Sequence, residues 1–417
     1  MAHTEPVPPQ NEQAFDLFLP LRSRGGLENP FAIYALLRTV RPVMRMPVRD
    51  YDGPGVWFLT RHAEVEQALR DPRYSVDRLS APFIRDNLER LPAFIQQGAQ
   101  MLRSMLTMDP PDHTRVRKLV NKAFTPRRIA ALRGRVEAIV DELLAPVTSH
   151  MDVIDALAAP LPAIVIAELL GVPPADHRQF KAWAADIVAG IGQPSGGARQ
   201  TGATPALRQL FDYLGEIIAA RRREPRDDLI SAMVQAQEAD DALSDAELLA
   251  TSNLLLIAGH ETTTNLIGNG LLALLREPDQ LARLRGDLAL LPTAIEELLR
   301  YDGPVQATLR VAREDLVLDG NAVAAGSLLL VGIGAANHDP DVFAEPERLD
   351  VTRDPNPHLA FGFGAHFCLG APLARLEGEI ALRALLTRFP RLALATEVPQ
   401  YRPNPVLRGL TALPVTC

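Results

Sequence analysis

Cysteine is nearly absent: the 417 residues hold two, Cys368 and the terminal Cys417. Two cysteines, one at a chain end where order is not expected, cannot staple a scaffold. The fold must therefore rest on an apolar core, and a reducing cytoplasm is the expected compartment. Cys368 has no second cysteine nearby, which excludes the usual zinc clusters. No apolar run reaches the ~18 residues a membrane span needs. Met1 to Gln10 is polar and proline-rich, so neither export nor membrane anchoring is expected. Basic excess is also lacking: 43 Lys and Arg stand against 51 Asp and Glu, a net charge of −8, which argues against nucleic acid as a partner.

Hydrophobic residues make up 47% of the chain, enough for a large core, and no repeat or long low-complexity linker interrupts it. The patterning predicts a mostly α chain with a small β-rich portion (α+β). Residues 29–417 read as a single domain, preceded by a partly flexible extension, 1–28. A hairpin is expected from Pro42–Val48 and Val56–Thr60. Helices are expected at Ala63–Arg70, His113–Ala123, Pro126–Leu144, Pro205–Arg223 and Leu369–Phe389. The sequence of Gly190–Thr204 reads as a mobile loop. Further strands are expected at Leu309–Ala312, Leu316–Leu318 and Leu328–Gly332, and an irregular, proline-marked segment at Asn337–Gly364. Ser244 with Glu247 makes a capping-box signature for a helix that continues to Glu277, before Pro278. At 1.5 Å rise per residue this helix is about 50 Å long. Leu254–Ala258 is apolar on every face, which places the helix in the interior. Gly259 would let another group approach its backbone.

The sharpest chemical signal is Phe361-Gly-Phe-Gly-Ala-His-Phe-Cys-Leu-Gly370. A glycine-rich loop delivers Cys368 to the first turn of a helix, where free N–H groups and the helix dipole would favour a thiolate. Gly362 and Gly364 lack the third glycine, at 367, that a dinucleotide loop would need. The FxxGxHxCxG pattern resembles the haem-binding loop of the cytochrome P450 family. Three further segments share that resemblance. Glu297-Leu-Leu-Arg300 is similar to the family's helical ExxR, with Arg353 as third member and Arg348 as rival. Ala258-Gly-His-Glu-Thr-Thr263 is similar to its oxygen-activating A-G-x-[DE]-T-T. Asp109–Arg117 is similar to the helix crossing one haem edge.

The resemblance covers about Asn29 to Leu413 and implies a cytochrome P450 fold with haem b held between the long helix and the Cys368 loop. It implies a monooxygenase that inserts one oxygen atom from O2 into a lipophilic small molecule, by hydroxylation or epoxidation. Cys368 would ligate the iron, and Thr262 and Glu261 would handle protons. His113, Arg117, Arg310 and His366 would meet the propionates. Phe361, Gly362, Ala258 and Gly370 would contact the cofactor. The implied pocket is lined by Phe83, Leu91, Phe94, Ile95, Ile187, Val188, Leu254, Ile257, Ala258, Val305, Ala307 and Val406. With no dinucleotide fingerprint, electrons would come from NAD(P)H through a separate ferredoxin and ferredoxin reductase. Arg115, Lys118 and Lys122, near Arg127 and Arg128, offer a docking face, and a monomer is expected. A peroxygenase would lack the acid–threonine pair, and a haem-based sensor would want an effector domain.

Overall fold

The Ser244 hydroxyl accepts the Glu247 N–H at 3.2 Å, and Glu247 Oε2 accepts the Ser244 N–H at 2.8 Å. This reciprocal cap starts a helix that runs over Asp245–Arg276, with Glu277 as its C-cap. The computed structural model describes residues 24–417 except 49–50, 90–102, 122–123, 177–178, 180–181, 184–185, 187–199, 238–242, 397–399 and 405. The long helix is the axis of the fold. Its C-terminal half contributes Leu266, Ile267 and Leu271 to a core shared with Arg133–Leu144, Leu291–Tyr301 and Ala371–Arg388. Its N-terminal half contributes Leu248, Leu255 and Leu256 to a second core, shared with Gln200–Arg223 and Leu229–Gln237. Gly259 and Gly270 serve this packing: a Cβ at 259 would meet Ile166 at 3.4 Å, and one at 270 would meet Leu298 at 3.0 Å. The group that approaches the Gly259 backbone is thus a neighbouring helix.

Five strands form the largest described sheet, in the order Val43–Met46, Val56–Leu59, Leu328–Val331, Thr308–Ala312, Tyr74–Ser75. The first two make the expected antiparallel hairpin, Val43 facing Leu59, while Val56–Leu59 runs parallel to Leu328–Val331. Leu316–Leu318 and Asn321–Val323 close over Asp319 and Gly320, both at positive φ (48° and 74°), the backbone that a two-residue hairpin turn requires.

Several expectations need correction. The helix expected over Pro126–Leu144 is two, Pro126–Ala131 and Arg133–Leu144, broken at Leu132. Residues 200–204, part of the segment 190–204 read as loop from its Gly, Ser, Thr and Pro content, are the start of the helix Gln200–Arg223; 190–199 lie outside the described residues. Cys417 is ordered: Pro414–Thr416 pairs with His150–Asp152 and Ala393–Leu394, and the Cys417 N–H donates to the Ser149 carbonyl at 2.8 Å. The end of the expected N-terminal extension is helical, Arg24–Glu28, and the Glu28 carbonyl accepts from Arg408 Nη2 at 3.0 Å. No described helix is long and apolar enough to cross a membrane.

Candidate functional site

The chain enters the cysteine loop through Gly362 and Gly364, at φ 72° and 71°, a region that costs residues with a Cβ. Gly364 also lies against Arg70, whose Cα would stand 3.2 Å from an added Cβ. A short turn, Gly364–His366, follows, and the Cys368 N–H closes the loop onto the Phe361 carbonyl at 2.8 Å. The helix itself begins at Ala371 behind Gly370. Cys368 therefore precedes the first turn and is not in it. Cys368 is exposed, and so are its neighbours Phe363 and Phe367, at 39% and 40%. Such apolar exposure beside a thiol suits a flat apolar ligand. The expected lowering of the thiol pKa is not found. Burial raises it, against the Gly370 and Ala371 N–H groups and the positive charges of Arg117 and Arg375. Coordination to a cation would supply the deprotonation, because a coordinating thiol loses its proton outright.

Arginine and histidine side chains gather at one edge of this loop. His113 is buried and neither of its ring nitrogens has a hydrogen-bond partner; its ring lies 4.0 Å from that of His366. Arg310 is buried and donates from Nη1 only to its neighbour's carbonyl, that of Leu309, at 2.8 Å. Burial, then the charge of Arg78, pushes Arg310 down to about 10. Burial and the charges of His113 and Arg310 push His366 down to about 3. Arg117 donates to the Phe367 carbonyl at 2.5 Å, which ties the group to the residue before Cys368. The nearest acid, Asp109, is already bonded to Ser75, to the Val76 N–H at 3.0 Å and to Arg313 at 2.6 Å. A buried arginine with no ion-paired carboxylate and a buried imidazole with no hydrogen-bond partner are both costly. A ligand with two carboxylates, such as haem with its propionates, would complete the site, so the residues present fit that group. Arg78, which acts on Arg310, was not anticipated; its only sequence context is a short polar stretch.

The long helix is open through one patch. Between Leu255 and Leu274 only Ile257, Ala258, Gly259 and Thr262 are not buried. Accessible positions in the middle of a helix buried on its other sides mark a concavity. Thr262 Oγ1 donates to the Ala258 carbonyl at 2.7 Å, back-bonding that parks the hydroxyl on its own helix. Glu261 is buried and ion-paired to Arg402, from the C-terminal loop. The expected acid–alcohol pair is adjacent in sequence, but the acid is held by a cation no motif pointed to. Arg402 is 32% exposed, so the pair connects the helix interior with the solvent side.

Behind the loop, Glu297 is fully buried. It accepts from Arg300 Nε and Nη2 at 2.7 and 2.9 Å, Arg353 Nε at 3.1 and 3.2 Å, Asn356 at 3.2 Å and the Asp350 N–H at 2.9 Å. Arg348 contributes its carbonyl to both arginines, while its side chain pairs with Glu345. The neighbouring Glu296 binds Arg375 and His358, and these outweigh its burial and hold it down to about 2, from 4.5. A depressed carboxylate adds stability above its unfolded pKa, and that stability is lost as pH falls toward the folded value. Glu296→Gln is therefore expected to lower the melting temperature at pH 7 and to bring the wild-type and variant curves together between pH 4.5 and about 2; a gap independent of pH would refute this assignment.

The remaining expected positions divide. Val305, Ala307 and Val406 come together, because Val305 bridges Leu407 and the Gln306 N–H donates to the Val406 carbonyl at 2.9 Å. Leu254, Ile257 and Ala258 lie on the long helix. Phe83 instead packs with the sheet, edge-on to Tyr51 at 5.1 Å and against Val311 and Leu328. Leu91, Phe94, Ile95, Ile187, Val188 and Lys122 lie outside the described residues. Arg115 and Arg128, expected on a docking face, pair with Glu247 and Asp227.

The structure thus gathers an exposed cysteine, a group of arginine and histidine side chains at one edge of its loop, and a threonine in an open patch of the long helix. Comparison with known proteins gives the class. The family model described as Cytochrome P450 matches residues 200–410. Cytochrome P450 CYP107DY1 of Priestia megaterium is 44% identical over 384 residues, 90% of this chain and 92% of that protein. Vitamin D(3) 25-hydroxylase of Pseudonocardia autotrophica is 44% identical over 396 residues, 93% and 94% of the two chains. The solved structure of the bacillaene polyketide synthase cytochrome P450 PksS of Bacillus subtilis matches with a TM-score of 0.85 at 40% identity, over 95% of this chain and 98% of that one. The chain belongs to the cytochrome P450 family. It is a bacterial monooxygenase that inserts oxygen into small lipophilic molecules, and its family uses haem b and O2.

Proposed function

We propose that Cys368 is the protein ligand of the haem iron, and that His113, Arg117, Arg310, His366 and Arg78 receive the propionates. The observation that carries this reading is the buried His113 imidazole, unpartnered at both nitrogens and packed on His366, with buried Arg310 close by and the exposed Cys368 in the same loop as His366. Bound haem with a thiolate ligand supplies O2 activation, since that ligand donates electron density and favours O–O cleavage. The chain's own residues bind, orient and deliver protons. Phe361, Phe363, Phe367, Gly362, Gly370 and Ala258 would contact the haem.

Thr262 and Glu261 move protons. The Thr262 hydroxyl leaves the Ala258 carbonyl to donate into the site, and Glu261, on release from Arg402, passes it a proton from the solvent side. Thr262→Ala is expected to lower product formation on the order of 10²-fold, with NAD(P)H oxidation continuing and hydrogen peroxide accumulating; Thr262→Ser restores coupling. Equal losses of product and NAD(P)H oxidation would overturn the proton-delivery role.

The substrate reading is a lipophilic small molecule held mainly by desolvation between the Leu254–Ala258 segment and the Val305, Ala307 and Val406 strip. Relatives whose names cite polyketide biosynthesis, 6-deoxyerythronolide B and vitamin D(3) support that class. A ferredoxin and its reductase supply electrons to a monomeric cytoplasmic enzyme.

A further inference from the structure

The helix Leu291–Tyr301 carries two adjacent carboxylates that serve different partners. Glu297 holds the irregular segment before the cysteine loop. Glu296 turns to the loop itself: Arg375 Nε and Nη2 donate to its two oxygens at 2.6 and 2.7 Å, and His358 Nε2 lies 3.0 Å from Oε2. His358 Nδ1 accepts the Ala360 N–H at 3.2 Å. That bond places the ring proton on Nε2, where it points at Glu296. The other surface of the Arg375 guanidinium lies over Phe361, with Cζ 4.6 Å from the ring centroid. Phe361 in turn accepts the Cys368 N–H through its carbonyl at 2.8 Å. Arginine alone among cationic side chains can chelate a carboxylate edge-on and stack on an aromatic face at once. The result is a fixed positive charge, partly cancelled by Glu296, held against the residue that anchors the cysteine.

Resting on the reading of Cys368 as the iron ligand, we infer that the Glu296–Arg375 pair sets the electrostatic potential at that sulphur, and thereby the reduction potential of the holoenzyme. Reduction adds negative charge, which Arg375 favours and Glu296 opposes. His358 keeps Glu296 on Arg375 and so fixes the balance. The two side chains are 37% and 28% exposed, so water screens the pair only in part.

The two charges predict opposite signs, and that distinguishes an electrostatic role from a merely structural one. The experiment is a spectroelectrochemical titration of the ferric–ferrous couple in haem-loaded wild type, Arg375→Met, Arg375→Lys and Glu296→Gln, without any electron-transfer partner. Arg375→Met is expected to lower the reduction equilibrium constant about tenfold, ~59 mV for one electron, and Glu296→Gln to raise it. Arg375→Lys, which keeps the charge but not the stacked plane, stays within about twofold of wild type. If Met and Gln variants shift the same way, or neither shifts, the inference is overturned. A tenfold loss in the Lys variant, the comparison that remains should the Met variant not bind haem, also overturns it. Failure of the underlying reading looks different: the wild-type ferrous carbonyl complex would lack the red-shifted band of thiolate ligation.

Discussion

Cys368→Ser is expected to reduce monooxygenase turnover to background while the haem-free protein unfolds within ~0.5 kcal/mol of wild type. The two halves of this result come from different features of the same residue. Cys368 is exposed, and the loop around it is closed by a backbone bond, from the Cys368 N–H to the Phe361 carbonyl. Neither depends on the side-chain atom, so the fold should not register the change. The chemistry should register it fully, because serine cannot offer the electron-rich thiolate that favours O–O cleavage. The measurements are the carbonyl spectrum of the reduced protein and product formation, beside urea unfolding of the haem-free chain. Retained turnover in the serine variant would remove Cys368 from its proposed role.

Glu297→Ala is expected to have the largest effect on stability. Removing this one carboxylate strands Arg300, whose side chain is wholly buried, and Arg353 beside it. Breaking a buried pair by deleting one partner costs ~3–5 kcal/mol, a large share of a typical total of about 5–15 kcal/mol. Urea unfolding should show it directly, and haem incorporation should fall with it. Glu297→Gln keeps the shape and some hydrogen bonds and should be milder. Equal and small losses in both variants would show that packing around Arg300, and not the charge, holds the segment 344–356.

The motifs made much of this legible. Glu297 and Arg300 are one turn apart, so their meeting follows from helix geometry alone. The capping box at Ser244 and Glu247 is equally local, and both bonds are present. Arg353 was recoverable as a partner only through the family pattern, since 56 residues separate it from Glu297. Arg402 and Glu261 are 141 positions apart, and nothing local to Tyr401-Arg-Pro403 marks the arginine. The same holds for Arg375 and Arg78. Charged residues on unremarkable segments become functional candidates only when burial and partners are known. The helical start at residues 200–204 departs from the loop reading because composition is a weak guide to where a helix begins when its later turns, through Ala206, Leu207 and Leu210, are packed in a core.

By itself the sequence determined the class of fold, the order of elements, the ligand cysteine to be tested and the acid–threonine segment. Each of these depends on residues within one or two helical turns or on a contiguous loop, where chain connectivity sets the geometry. Tertiary structure alone decided which cation holds Glu261, which guanidinium stacks behind the cysteine loop, and which patch of the long helix is open. Those outcomes depend on burial and on charges brought close by distant segments, and the energy of a buried charge is a property of its surroundings and not of its own place in the chain.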